Sequence, residues 1–273
     1  RTAEGCYRVL KLVKGVTAMK VNAVVLAGGS ASKKLKKHTG VDSEALIPIG
    51  EHLMVDYVVK ALEKTKFIDR IALVGPVKEL EEKYGDSLRV ELVEAGSTAI
   101  KSVLNGVEAV GFTEYVVIVS SDIPLISSDA LTDFIEACIR KGGADLYYPI
   151  IEKRVSESKF PGAHRTYVRL VEGTFTGGNV FLVRPEIIEP REELAEKLIA
   201  LRKSPLALCR LIGIGFIIKY LLGKLTLKEA EEKFSKLLDI KGLAVKCMYP
   251  EIGMDIDKPS DLELVEQVLL TTL

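Results

Sequence analysis

The sequence has no tryptophan, only three histidines and four cysteines in 273 residues, and no net charge, because 38 lysines and arginines balance 38 aspartates and glutamates. That balance leaves no global field to draw the chain onto nucleic acid, so an anionic ligand has to be held by local clusters. Cys6, Cys138, Cys209 and Cys247 lie far apart with no C-x-x-C or Cys/His spacing. They read as reduced thiols of a cytosolic protein rather than as a zinc site. His38, His52 and His164 show neither triad nor metal spacing, so surface packing is their default. Residues 1–18 carry several cations but lack the apolar core of a secretory signal. With the first methionine at Met19, the domain is expected to start there, the preceding segment being a tag remnant, an upstream extension or an added strand.

What the chain does have is bulk and pattern. With 48% hydrophobic residues it can bury one large core or two modest ones. From Val21 onward, short β-branched runs alternate with longer amphipathic ones, as parallel strands joined by crossover helices require. Strands are expected over 23–26, 70–74, 89–93, 115–120 and 145–150, then 165–170, 174–183 and 243–249. Between them, 53–64 sets Val55, Val58, Val59 and Leu62 on one helical face, and 98–110 does the same with Ile100, Val103, Leu104 and Val107. Ser127-Ser128-Asp129 offers cap chemistry for a helix that Gly142-Gly143 stops. Three helices are expected between Ile187 and Leu238, and Pro259 opens a terminal one. The pattern implies a three-layer α/β/α domain with a mostly parallel sheet over residues 19–273, carrying a helical insertion at about 187–240.

The strand Val24-Val25-Leu26 runs straight into Ala27-Gly28-Gly29, followed by Lys33, Lys34, Lys36 and Lys37. Paired glycines let backbone N–H groups converge on phosphate oxygens while lysines neutralise the charge. No Gly-Lys-Ser/Thr closes the loop and no third glycine follows, so neither the P-loop nor the dinucleotide fingerprint is present. A plain turn is the competing reading. The run Tyr115 to Val119 is apolar on both faces, which puts it centrally in a covered sheet, and it ends at Ser120-Ser121-Asp122-Ile123-Pro124. Ligands of open α/β sheets gather beyond the carboxyl ends of the strands, which places Asp122 and the glycine pair at one edge. A carboxylate facing a phosphate loop needs a cation between them. Magnesium, with manganese as its substitute, suits carboxylate and phosphate oxygens.

Four segments, Leu26-Ala27-Gly28-Gly29, Glu44-Ala45-Leu46-Ile47-Pro48-Ile49-Gly50, Ser121-Asp122-Ile123-Pro124 and Asp255-Ile256-Asp257-Lys258-Pro259-Ser260-Asp261-Leu262, together resemble the MobA-like nucleotidyltransferases. They are similar also to the cytidylyltransferases of isoprenoid synthesis. The resemblance covers most of residues 20–183 and returns at 250–270. It implies a GT-A-like fold that binds a nucleoside triphosphate, CTP or GTP, with magnesium. The implied reaction moves the nucleoside monophosphate to a small phosphorylated acceptor and releases pyrophosphate. In that family the loop at Leu26, Ala27, Gly28 and Gly29 wraps the triphosphate, and the basic residue after it falls here on Lys33. The metal aspartate falls on Asp122, with a second acidic ligand at Asp255 or Asp257. Gly96-Ser97-Thr98 looks like the segment that cradles the base.

Two departures stand out. Lys33 in place of arginine keeps the charge but loses the planar fork. The family's lysine before Ala-Leu-x-Pro falls on Glu44, which reverses charge at an expected phosphate contact. Either the lysines of 33–37 substitute, or the nucleotide is bound differently, or catalysis is weak; a nucleotide-binding protein without catalysis is therefore an alternative. A GT-A glycosyltransferase shares the fold, but Asp122-Ile123-Pro124 stands where its Asp-x-Asp is needed.

Lys153, Arg154, Lys159, His164, Arg165 and Arg169 gather around two aromatics, which suits either a phosphorylated acceptor or a solvated face. Arg165, Gly178 and Asn179 are expected on the acceptor side, with a bulge as the other reading of Asn179. The apolar stretch 204–225 is too short between charges to span a bilayer. It reads as a packing helix, a homodimer contact, or an interfacial helix against a membrane surface or a lipid-like acceptor. Attack on an α-phosphorus by an ionised phosphate oxygen needs alignment and charge neutralisation more than a base, which leaves the histidines without a required role.

Overall fold

The computed structural model describes residues 19–163, 165–201 and 212–271. The expectations for residues 1–18, Cys6, His164, Cys209 and the first part of 204–225 lie outside them. The strands are β1 (Val21–Leu26), a small ribbon of β2 (Pro48–Ile49) and β3 (His52–Leu53), β4 (Ile68–Gly75), β5 (Val90–Glu94), β6 (Val116–Ser120), β7 (Leu146–Glu152), β8 (Val168–Leu170), β9 (Gly173–Gly177), β10 (Val180–Val183) and β11 (Gly242–Lys246). All but the ribbon form one sheet in the order β5-β4-β1-β6-β10-β7-β9-β8, with β11 beside β7. Within it β9 and β10 run against the others.

The helices are α1 (Lys33–Thr39), α2 (Met54–Lys64), α3 (Val77–Tyr84), α4 (Ala99–Val110), α5 (Ser128–Lys141), α6 (Lys153–Lys159), α7 (Glu192–Leu201), α8 (Ile214–Leu221), α9 (Leu227–Leu238) and α10 (Pro259–Thr271). Period-two alternation splits the central strands between two cores. Val21, Ala23 and Val25 of β1, with Val117 and Val119 of β6, face the core under α2 and α5. Val24, Ala72, Val74 and Val116 face the core under α4. A third cluster joins Leu35 of α1 and Met54 of α2 to Ile256, Leu262 and Val265, and so fastens the C-terminal segment to the region of the glycine turn.

Several expected boundaries move. The strand expected over 165–170 begins only at Val168, because Arg165 turns inward to pair with Asp255. The strand expected over 174–183 is broken at Gly178-Asn179 into β9 and β10. There the Gly178 N–H leaves the ladder for Pro149 O and the Asn179 N–H for Ile252 O. Three helices were not expected. α1 has a single buried residue, Leu35, and owes its ends to the Ser32 cap and to Gly40 at φ 75°. α3 and α6 are short and mostly charged. Beyond β10, α8 and α9 place Phe216, Tyr220 and Leu227 against Leu170, Phe175 and Ile150. The outer face of α8 leaves Ile214 and Leu221 exposed, and no helix among the described residues is long and apolar enough to cross a membrane.

Candidate functional site

β1 delivers its chain end between two neighbours. Ala27 N donates to Val74 O at 2.7 Å and Ser121 N to Leu26 O at 3.1 Å, so the turn Gly28-Gly29 emerges beside Asp122, with both glycines exposed. Segment 42–44 brackets that turn: Ala31 N donates to Asp42 O at 2.7 Å and Glu44 N to Gly29 O at 3.2 Å. A Cβ built on Gly29 would stand 3.0 Å from Glu44 Oε2. Ser32 Oγ accepts from Leu35 N at 3.2 Å, capping α1, and donates to Asp257 O at 2.8 Å. Ile256 N donates to Asp122 O at 3.0 Å. This lacing brings the carboxylates of Glu44, Asp122, Asp255 and Asp257 within electrostatic reach of one another. Lys33 heads α1, exposed and without an ion-pair partner among the described residues.

The gathered charge is poorly compensated. Burial pushes the Glu44 carboxyl up to about 7, and Asp122, Asp257 and Asp255 add to the rise. Burial likewise pushes Asp122 up to about 6, against a hydrogen bond from Ser120 and with help from Asp255 and Asp257. Asp257 is raised by burial and by Asp255. Among the described residues only Arg165 pairs with one of them, Asp255. Among the described residues three buried polar side-chain atoms lack a partner, namely Ser43 Oγ, Asp122 Oδ1 and Tyr167 Oη. They sit next to Glu44, in the cluster, and two residues from Arg165. Such orphans collect where a ligand completes the bonding. Among the described residues no three acidic, imidazole or thiol groups form a ready metal cage.

A pH dependence follows from these shifts. A carboxyl raised on folding makes the native state take up protons first, so native stability rises as pH falls through its folded value. From pH 8 to 5.5 the ligand-free protein is expected to gain stability from Glu44, by less than the roughly 2 kcal/mol that the full shift would give over this range, because the half-buried carboxylate is partly screened by solvent. Glu229, held down at about 2 by its hydrogen bonds from Lys219 and Thr226, titrates well below that window. Urea midpoints measured across the window should rise on acidification in the wild type and lose most of the slope in Glu44→Gln. A slope of opposite sign would refute the account.

The expected acceptor side is rearranged. Four of its cations have acidic partners: Lys153 pairs with Glu157, Arg154 with Glu152, Lys159 with Glu251 and Arg165 with Asp255. Glu251, which the sequence reading passed over, is buried and also accepts from Ser127 Oγ at 3.4 Å. A buried acid four residues before a recognised Asp255 motif gave no pattern to find it by. Gly178 is required by packing, since a Cβ there would be 2.9 Å from Pro149 Cγ. Asn179 is half-buried at the strand break, its amide side chain without a partner among the described residues. On the other side of the glycine turn, a Cβ on Gly28 would stand 3.0 Å from Ala95 Cβ, so the turn adjoins Gly96-Ser97-Thr98. Thr98 Oγ1 accepts from Lys101 N at 3.2 Å, capping α4, and donates to Glu196.

A sheet of this order, with a glycine turn and an acidic cluster at the carboxyl ends of its central strands, has the α/β nucleotidyltransferase fold. The chain belongs to the MobA-like NTP transferase domain family, whose model matches residues 23–204. It is similar to a structure described as a hypothetical transferase from Thermus thermophilus, with 33% identity and a TM-score of 0.78 over 89% of this chain and 100% of that one. Over 132 residues it is 30% identical to 2-C-methyl-D-erythritol 4-phosphate cytidylyltransferase of Lachnoclostridium phytofermentans, covering 44% of this chain and 55% of the relative. Over 154 residues it is 29% identical to D-ribitol-5-phosphate cytidylyltransferase of Homo sapiens, covering 50% and 33%. The chain thus spans about half the length of one curated relative and a third of the other.

Proposed function

We propose that this chain moves a nucleoside monophosphate from CTP or GTP to a small phosphorylated acceptor and releases pyrophosphate. The observation that carries the reading is the buried, unpartnered Asp122 Oδ1 among Glu44, Asp255 and Asp257, beside an open diglycine turn. Both curated relatives are named as cytidylyltransferases of sugar-alcohol phosphates, which supports CTP and an acceptor of that class. Gly28 and Gly29 would present backbone N–H groups to the phosphates, and Lys33, without an ion-pair partner among the described residues, would neutralise the departing pyrophosphate. Hard carboxylate oxygens with an orphan among them suit magnesium or manganese. Asp122 would hold the ion with Asp257 near by, while Asp255 is shared with Arg165. When bound, the ion would supply positive charge to the triphosphate oxygens. Asn179, at the strand break, would orient the acceptor, whose phosphate oxygen attacks the α-phosphorus as the bond to the β-phosphate oxygen breaks.

Pyrophosphate release is the direct measurement, across four triphosphates with magnesium and a panel of phosphorylated sugar alcohols. Acceptor-dependent release with CTP or GTP is expected. Silence throughout, together with no thermal stabilisation by any triphosphate, would overturn the reading. Glu44 favours a second one, a nucleotide-binding protein with lost or weak turnover, because its carboxylate stands beside the phosphate turn. Calorimetric binding without turnover would establish that reading, and turnover restored in Glu44→Lys would identify the cause.

A further inference from the structure

The insertion returns to the nucleotide side of the sheet in an ordered way. Lys101 Nζ on α4 pairs with Glu192 Oε1 on α7 at 3.3 Å, and Thr98, one turn nearer the start of α4, donates its hydroxyl to Glu196, one turn further along α7. The two helices therefore run antiparallel at this contact. At 1.5 Å of rise per residue, the last turn of α7 climbs about 5 Å past Thr98, beyond the carboxyl edge of the sheet. Ile199, on the Glu196 face at i+3, is 42% exposed. The loop beneath is rigid: Gly96 N donates to Ser102 Oγ at 3.0 Å, and a Cβ on Gly96 would be 2.6 Å from Lys101 Cβ.

Phosphates held at Gly28-Gly29 with Asp122 on one side leave the other side, over the ends of β4 and β5, for the sugar and base. That side is the loop Gly96-Ser97-Thr98 with α7 standing over it. We propose that α7 is the outer wall of the nucleobase subsite and that Glu196 is a specificity-determining residue, accepting a hydrogen bond from the exocyclic amino group of the base. The inference rests on the nucleotide-binding reading above. Glu196 suits the task because Lys101 is paired with Glu192, and Glu196 has no cationic partner among the described residues. Thr98 occupies its Oε1, so Oε2 remains as an acceptor, and an ionised carboxylate accepts only. Cytosine, adenine and guanine each offer an amino group. Uracil presents a carbonyl where cytosine has that group, setting acceptor against acceptor and leaving the carboxylate unpaired.

The test is calorimetric binding of CTP and UTP to the full chain with magnesium. The wild type is expected to favour CTP by about 30-fold or more. Glu196→Gln keeps an amide oxygen for Thr98 but loses the charge and half of the acceptors. It is expected to weaken CTP about 10-fold and to narrow the ratio to about 3-fold, without loss of melting temperature. Glu192→Gln, which breaks only the pair with Lys101, should leave the ratio as it is. Equal binding of CTP and UTP by the wild type, or an undiminished ratio in Glu196→Gln, overturns this inference and leaves the nucleotide-binding reading standing. Failure to bind any triphosphate overturns both.

Discussion

Asp122→Asn is expected to reduce nucleotidyl transfer by about a thousand-fold or more and, in the same preparation without divalent ions, to raise conformational stability. The two changes have one cause. Asp122 is half-buried, its carboxyl is pushed up to about 6, and its buried Oδ1 has no partner among the described residues. Holding it ionised at pH 7.5 costs the empty protein about 3 kcal/mol at most, a cost that the proposed cation and phosphates would offset. The amide has the same shape, no charge, and an NH2 group that can donate to the surrounding carboxylates. Pyrophosphate-release rates and urea midpoints on the same samples measure both effects. A variant keeping more than about a tenth of the rate, or one less stable than the wild type, would remove Asp122 from the centre of the site.

Arg165→Met should have the largest effect on folding, on the order of 3–5 kcal/mol. Arg165 retains only 10% of its side-chain exposure and faces Asp255 at 23%; it also donates to the Asp255 carbonyl at 3.1 Å and touches Met254 Sδ at 3.4 Å. Without the guanidinium, Asp255 stands beside Asp257 and within reach of Asp122 and Glu44 with no other ion-pair partner among the described residues. Adding Asp255→Asn should recover most of the loss, giving a strongly non-additive cycle in denaturation midpoints. If Arg165 serves only to bind the acceptor, the single variant will instead keep its midpoint and show a raised acceptor KM.

How far the chain could be read in advance depended on where each signal was stored. The central strands were legible because each buries both faces in a period-two pattern, with Val24 and Val25 sent to opposite cores. α4 and α5 were legible from their apolar stripes and from Thr98 and Ser127, which do cap them. α1 was not legible: Lys33–Thr39 is almost wholly cationic, and only burial of Leu35 against Ile47, Met54 and Ile256 makes a helix of it. The cationic run 153–169 shows the same dependence on distant partners. Closeness in sequence suggested a shared anion, whereas folding handed Lys159 to Glu251 and Arg165 to Asp255, partners about 90 residues away.

By itself the sequence determined the layered α/β architecture, the diglycine turn at a strand end, and the family, since these rest on local periodicity and on short ordered motifs. Only the tertiary structure decided that Glu44 joins the three aspartates, that Asp255 is held by Arg165, and that α7 rises beside Thr98. Charge compensation and pocket walls come from side chains far apart along the chain, and their protonation and availability are set by burial and neighbours, which do not exist until the sheet has formed.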